Sequence, residues 1–131
     1  MKTLLNRMEN KQNRAIVLMV NFQLQMKVFH WQTTSYAQHM AFGAIYDYLD
    51  GAIDKFVEML QGRSDRINFD DAGLKIQKLT DEAVNGSVEE FGKLLVSLSS
   101  YFDTKADSDL LNLRDEMLGE INKLKFLLSL K

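Results

Sequence analysis

Between positions 36 and 60 apolar residues return every three or four positions, as Phe42, Ile45, Leu49, Ile53, Phe56 and Leu60, without a break. A 3.6-residue period lines such a series up on one side of an α-helix, whereas a half-buried strand would alternate every second residue. The chain has no proline and only seven glycines, so little in it opposes a helical backbone. These features predict an all-α fold in which each helix buries its stripe against others. A length of 131 residues supports one hydrophobic core but not two ordinary domains, so residues 1–131 read as a single domain.

The same periodicity predicts four helices, over about 11–32, 36–61, 87–103 and 107–130. The first carries Ala15, Leu18, Phe22 and Phe29, with Gln25 interrupting the stripe. Ile16, Met19, Val20, Leu24, Met26 and Trp31 lie off it, and a helix apolar on two sides predicts a second subunit on the outer one. Thr33, Thr34 and Ser35 offer hydroxyl caps for the second helix, and Gly62 a stop. In the third, Ser87 and Glu90 resemble a capping box ahead of Phe91, Leu95, Leu98 and Phe102. The fourth repeats Leu110, Leu113, Met117, Ile121, Leu124 and Leu128.

Residues 62–86 lose the pattern, apart from a short turn expected around 79–83. A connection of about 24 residues, at roughly 3.3 Å each, can travel the ~25 Å length of a helix. The third helix can therefore run parallel to the second, and four helices with one long crossover make a ferritin-like bundle.

Composition removes several function classes. Without cysteine there is neither disulfide nor thiolate metal chemistry, which suits a reducing compartment. A formal charge of -2 supplies no general drive toward nucleic acid, and the basic residues Lys2, Arg7, Lys11 and Arg14 form only a sparse arm broken by Glu9. No stretch has the apolar length of a secretory signal or a membrane span, so a soluble, cytoplasmic protein is expected. Glycine-rich phosphate loops, Cys/His pairs and serine elbows are all missing.

What remains is His30 beside Trp31, His39, and then Asp47, Asp50, Asp54 and Glu58 at helical spacing. Imidazole nitrogen with carboxylate oxygen suits iron, manganese or zinc. On a helical wheel His39 and the four carboxylates occupy an arc of about 100°, centred roughly 130° from the core stripe. A metal site built from them would lie on the outer face of the helical hairpin and need closing by another surface. The same residues would equally supply a solvated helix face with hydrogen-bonded histidines, and at this level both readings stand.

The pattern resembles that of the Dps branch of the ferritin-like proteins. The shared features are a His-Trp pair ending the first helix (His30-Trp31), a second His opening the next (His39), and a carboxylate segment, AIDKFVE, with Asp54 and Glu58. The last helix is similar as well. The resemblance implies a dinuclear-type iron site at a two-fold interface, with His30 and His39 from one subunit and Asp54 and Glu58 from its mate. Iron (Fe2+/Fe3+) or another divalent metal would be bound, and ferrous iron oxidised by O2 or peroxide. Asp47 and Asp50 are additional candidate ligands. The chain departs from the pattern in its nine-residue His-to-His interval, three shorter than usual, and in Gly43, which stands where a carboxylate is expected. The run HWQT-x-SYA-x-H is also similar to a small ferritin-like group found in phages, implying the cytoplasm of a bacterium or of an infected host cell. The alternative expectation is a non-catalytic ferritin-like helical dimer or interaction module whose metal site is degenerate.

Overall fold

The computed structural model describes residues 4–70 and 72–131, with side chains described from residue 10 onward. Four helices follow one another: α1 (Leu4–Gln32), α2 (Tyr36–Arg63), α3 (Asp81–Ser97) and α4 (Ser108–Leu128), with a 3-10 turn, Leu98–Ser100, extending α3. The fold is the expected all-α four-helix bundle with a long connection between α2 and α3.

Helix ends differ from the expected ones for local reasons. The first helix begins by Leu4 rather than near residue 11, because its polar opening consists largely of Asn, Arg, Glu, Lys and Gln, several of them good helix formers despite carrying no stripe. Ser35 caps α2, its hydroxyl accepting the Gln38 N–H at 3.2 Å. Gly62 does not stop that helix, which runs on to Arg63 and ends at an extended Ser64. The third helix starts at Asp81 and not at 87. Thr80 accepts the Ala83 N–H at 3.0 Å, and Asp81 and Glu82 occupy the first turn, where acids favour the helix N-terminus. Ser87 is simply inside the helix.

Side-chain bonds fix the topology. The crossover passes alongside α1: Asn21 pairs with both backbone groups of Lys75, its Oδ1 accepting the N–H at 2.6 Å and its Nδ2 donating to the carbonyl at 3.1 Å. Gln25 does the same for Gln77, at 2.6 and 2.9 Å, and Gln32 accepts the Leu79 N–H at 2.7 Å. Both segments rise together in number, so the crossover runs parallel to α1 and delivers α3 to the end of the bundle where α2 began. α3 then runs antiparallel to α1, ending where Gln12 Nε2 donates to the Tyr101 carbonyl at 2.9 Å. At the same end the Arg63 guanidinium meets the buried Asp107 carboxylate at 2.7 Å, joining the end of α2 to the start of α4. The third helix is thus parallel to the second, and the topology is ferritin-like.

The core draws on all four helices and includes Phe29, Phe42, Phe56, Leu49, Leu95, Leu110 and Met117. On α1 Ala15, Phe22 and Phe29 are buried as expected, and the buried stripe is wider than they define and centred to one side of them. Ile16, Met19 and Met26 are fully buried within the chain, while Leu18 is only half-buried. Those three residues need no second subunit to cover them. No helix among the described residues is long and apolar enough to cross a membrane.

Among the described residues one buried polar group is unsatisfied. The Tyr48 hydroxyl is buried without a hydrogen-bond partner. Burial first, and then the Glu116 and Glu120 carboxylates, hold its phenol above the ordinary value of 10.0. The unfolded chain therefore releases this proton at lower pH than the folded one, and the folded state loses relative stability as pH rises past that value. Tyr48→Phe is expected to be about 1 kcal/mol more stable at neutral pH and to lose less stability on alkaline titration, as thermal melts would show.

Candidate functional site

Residues 33–35 alone separate α1 from α2. Thr33 Oγ1 accepts the Ser35 N–H at 3.1 Å and donates to Gln38 Oε1 at 2.7 Å, so the turn is tight and the last turn of α1 lies against the first of α2. That brings together His30 and His39. Their rings stack with centroids 3.7 Å apart and planes 17° from parallel. His30 Nδ1 donates to the His39 carbonyl at 2.7 Å, and His39 Nδ1 donates to the His30 carbonyl at 2.8 Å.

These two bonds decide the tautomers. A carbonyl oxygen only accepts, so both protons sit on Nδ1, and in the neutral rings both Nε2 atoms keep a lone pair. No hydrogen-bond partner engages either Nε2 among the described residues. The His30 carbonyl belongs to the last turn of α1, where acceptors lack intrahelical donors, and the His39 imidazole satisfies it. Metal-binding histidines are oriented by this kind of Nδ1–carbonyl contact.

Gly43 gives the His30 ring its close seat. A Cβ at this position would lie 3.0 Å from both Cε1 and Nδ1 of His30. The residue that occupies the place of an expected carboxylate is therefore the seat of the His30 ring, a role invisible to spacing.

The carboxylates stand elsewhere. Asp47, Asp50, Asp54 and Glu58 are all exposed along α2, and Asp50 accepts from the buried Gln23 Nε2 at 3.2 Å. At 1.5 Å per residue, Asp54 and Glu58 lie about 22 and 28 Å along the helix from His39. Within one chain no three His, Asp or Glu side chains come together as a metal-holding group among the described residues. The structure unites the two histidines and leaves all four carboxylates apart from them.

Around the imidazole pair the surface is aromatic and apolar. Trp31 is 67% exposed, Tyr36 77% and Met40 54%. Lys27, which the sequence did not single out, holds its ammonium 4.7 Å from the Tyr46 ring centroid and 5.7 Å from that of Trp31, within cation–π range. A groove of about 420 Å³ between α1, the crossover and α3 is lined by Arg14, Phe22, Phe91 and Glu90 among others, and contains none of the candidate ligands. Of the basic arm, Lys2 and the side chain of Arg7 lie outside the described residues, while Lys11 sits over the Tyr101 ring at 5.6 Å.

Residues 30–128 match the model of a family described as Family of unknown function (DUF5856). The chain belongs to this family. The span matched to DUF5856 begins at His30 and ends with α4, so both histidines and all four carboxylates fall inside it. No curated protein and no solved structure matches the chain.

Proposed function

We propose that the protein binds ferrous iron at a site shared by two copies, in the manner of the Dps-like proteins that its sequence pattern resembles. The observation that carries this reading is the reciprocal pair of Nδ1–carbonyl bonds, which leaves both Nε2 atoms available as neutral donors. Asp54 and Glu58 of a second copy would supply the oxygen ligands. The outer face of α2 carries the imidazoles at one end, with Lys27 of α1 nearby, and exposed Asp54 and Glu58 at the other, with exposed Asp47 and Asp50 between them. An antiparallel two-fold pairing, in which the same patch serves both partners, sets these ends against each other twice. Two imidazoles and two carboxylates make a donor set suited to iron, and the carboxylates favour the ferric state more than the ferrous. Ferrous iron is then the substrate, oxidised by O2 or peroxide, and Trp31 and Tyr46 flank the site. The absence of cysteine fits a reducing cytoplasm, of a bacterium or of a cell infected by a phage carrying this sequence.

A second reading has its own support. The two Nδ1 bonds also clasp the turn between α1 and α2, which is a structural task complete without iron, and the chain would then be a helical dimer or interaction module. Anaerobic titration with Fe(II), followed by admission of oxygen, separates the two. Wild type should bind saturably, and His39→Ala and Glu58→Ala should each weaken binding by about tenfold or more while melting as folded proteins. Wild-type binding that never saturates, or oxidation no faster than in buffer, would leave only the structural reading.

A further inference from the structure

The groove between α1, α3 and the crossover has an apolar floor and a cationic mouth. The Phe22 and Phe91 rings stack with centroids 4.1 Å apart, and Val17, Leu18 and Leu94 line the same cavity of about 420 Å³ beside them. The crossover, held there by the bonds from Gln25 to the Gln77 backbone, forms the third wall. Arg14 lines this cavity and also a shallower one of about 220 Å³ that continues past Lys11 and Tyr101.

Charge is distributed unevenly along the groove. Arg14 is exposed and pairs with no acid among the described residues, and Lys11 stands about one turn away over the Tyr101 ring at 5.6 Å. The pairing of Gln12 with Tyr101 and of Phe22 with Phe91 fixes the heights of α3 against α1. Glu90 and Glu82, the acids of the cavity wall, are thereby level with Gln23 and Trp31, roughly 14 and 26 Å along the bundle from Arg14. Lys75, held level with Asn21, is close to the height of Glu90 and offsets it. One mouth of the groove is left positive and the other negative. A volume of about 420 Å³ falls in the range of small-ligand sites and equals only a single turn of a helix about 10 Å across, so a small molecule fits it and a partner helix does not.

We propose that this groove binds a free medium-chain fatty acid, its carboxylate on the Arg14 guanidinium and its alkyl chain laid over Leu18, Leu94 and the Phe22–Phe91 stack. The planar guanidinium offers paired N–H donors that match both carboxylate oxygens. Each methylene removed from water strengthens binding by up to about fourfold. Glu90 and Glu82 oppose the reverse orientation, in which the anionic head would lie beside them. The site is independent of the iron reading, because none of the candidate metal ligands lines the cavity.

Calorimetric titration of the full chain with butyrate, octanoate and dodecanoate, each below micelle-forming concentration, tests the proposal. Dodecanoate should bind once per chain and at least tenfold more tightly than octanoate, with butyrate undetected. Arg14→Glu should weaken dodecanoate by about tenfold without weakening dodecyltrimethylammonium, which carries the same chain on a cationic head. Gly86 lines the cavity, and a Cβ there meets nothing within 4 Å. Gly86→Leu should therefore occupy groove space and weaken dodecanoate by about tenfold, while melting no lower than wild type because leucine favours the helix over glycine. Dodecanoate binding no tighter than butyrate, or binding unchanged by both Arg14→Glu and Gly86→Leu, would overturn the proposal. Attachment to phosphatidylglycerol vesicles without any binding of monomeric dodecanoate would also overturn it, assigning the groove to a membrane surface.

Discussion

Gln25→Leu is expected to cost about 2–4 kcal/mol of stability, although leucine nearly matches the volume it replaces. Gln25 is 2% exposed and spends both ends of its amide on the backbone of Gln77. Leucine leaves no cavity, so the loss comes from a peptide N–H and C=O deprived of their partners against the bundle. The crossover should lift locally before the helices unfold. Hydrogen exchange checks this directly: the amides of Lys75, Gln77 and Leu79 should exchange much faster in the variant, while those around Leu49 and Phe56 change only with global stability. Asn21→Leu, whose bonds are exposed, should cost less than 1 kcal/mol or about that. Equal urea midpoints for wild type and Gln25→Leu would show that the crossover is held by something else.

Gly43→Asp is expected to weaken iron binding by about tenfold or more, although it supplies the carboxylate that the resembled pattern would place there. Its Cβ alone arrives 3.0 Å from the His30 ring, so the ring must shift by a few tenths of an ångström and strain its 2.7 Å bond to the His39 carbonyl. Overpacking of this kind costs about 1–3 kcal/mol, against at most a few tenths recovered from aspartate's better helix propensity. With the His30 ring displaced, the bond that fixes Nδ1 as the donor is weakened and Nε2 is aimed less well. Fe(II) affinity should fall by about tenfold or more, as when the groups orienting a metal ligand are lost. A variant that binds iron more tightly than wild type would mean that the ring has room to spare and that glycine is merely a lost ligand.

Much of the architecture could be read from spacing because burial imposes a period. The stripe Phe42, Ile45, Leu49, Ile53, Phe56 and Leu60 is buried throughout, and the length of the crossover gave the parallel direction of α3. The misplaced features are those set by contacts between distant segments. Gln25 breaks an apolar pattern, and nothing local shows that it bonds a backbone 52 residues away. Ile16, Met19 and Met26 seemed surplus to the first stripe because the choice of stripe depends on where α2, α3 and α4 lie. Thr80 and Ser87 are both plausible caps by type, and the acids that follow Thr80 favour the earlier start.

The site divides in the same way. Wheel geometry placed the carboxylates on the outer face, where Asp47, Asp50, Asp54 and Glu58 indeed stand exposed. It did not show that His30 and His39 stack, since that depends on a three-residue turn and on the space above Gly43.

Mixing two broken copies tests the shared site most directly. His39→Ala lacks an imidazole and Asp54→Ala/Glu58→Ala lacks the carboxylates, so neither should bind Fe(II) saturably alone. After subunit exchange at equal concentrations, half the dimers are mixed, and each mixed dimer rebuilds one intact site of its two. Binding should therefore return to about a quarter of the wild-type stoichiometry. Separate variants that bind as wild type, or an exchanged mixture that recovers no site, would contradict a metal centre completed by a second copy.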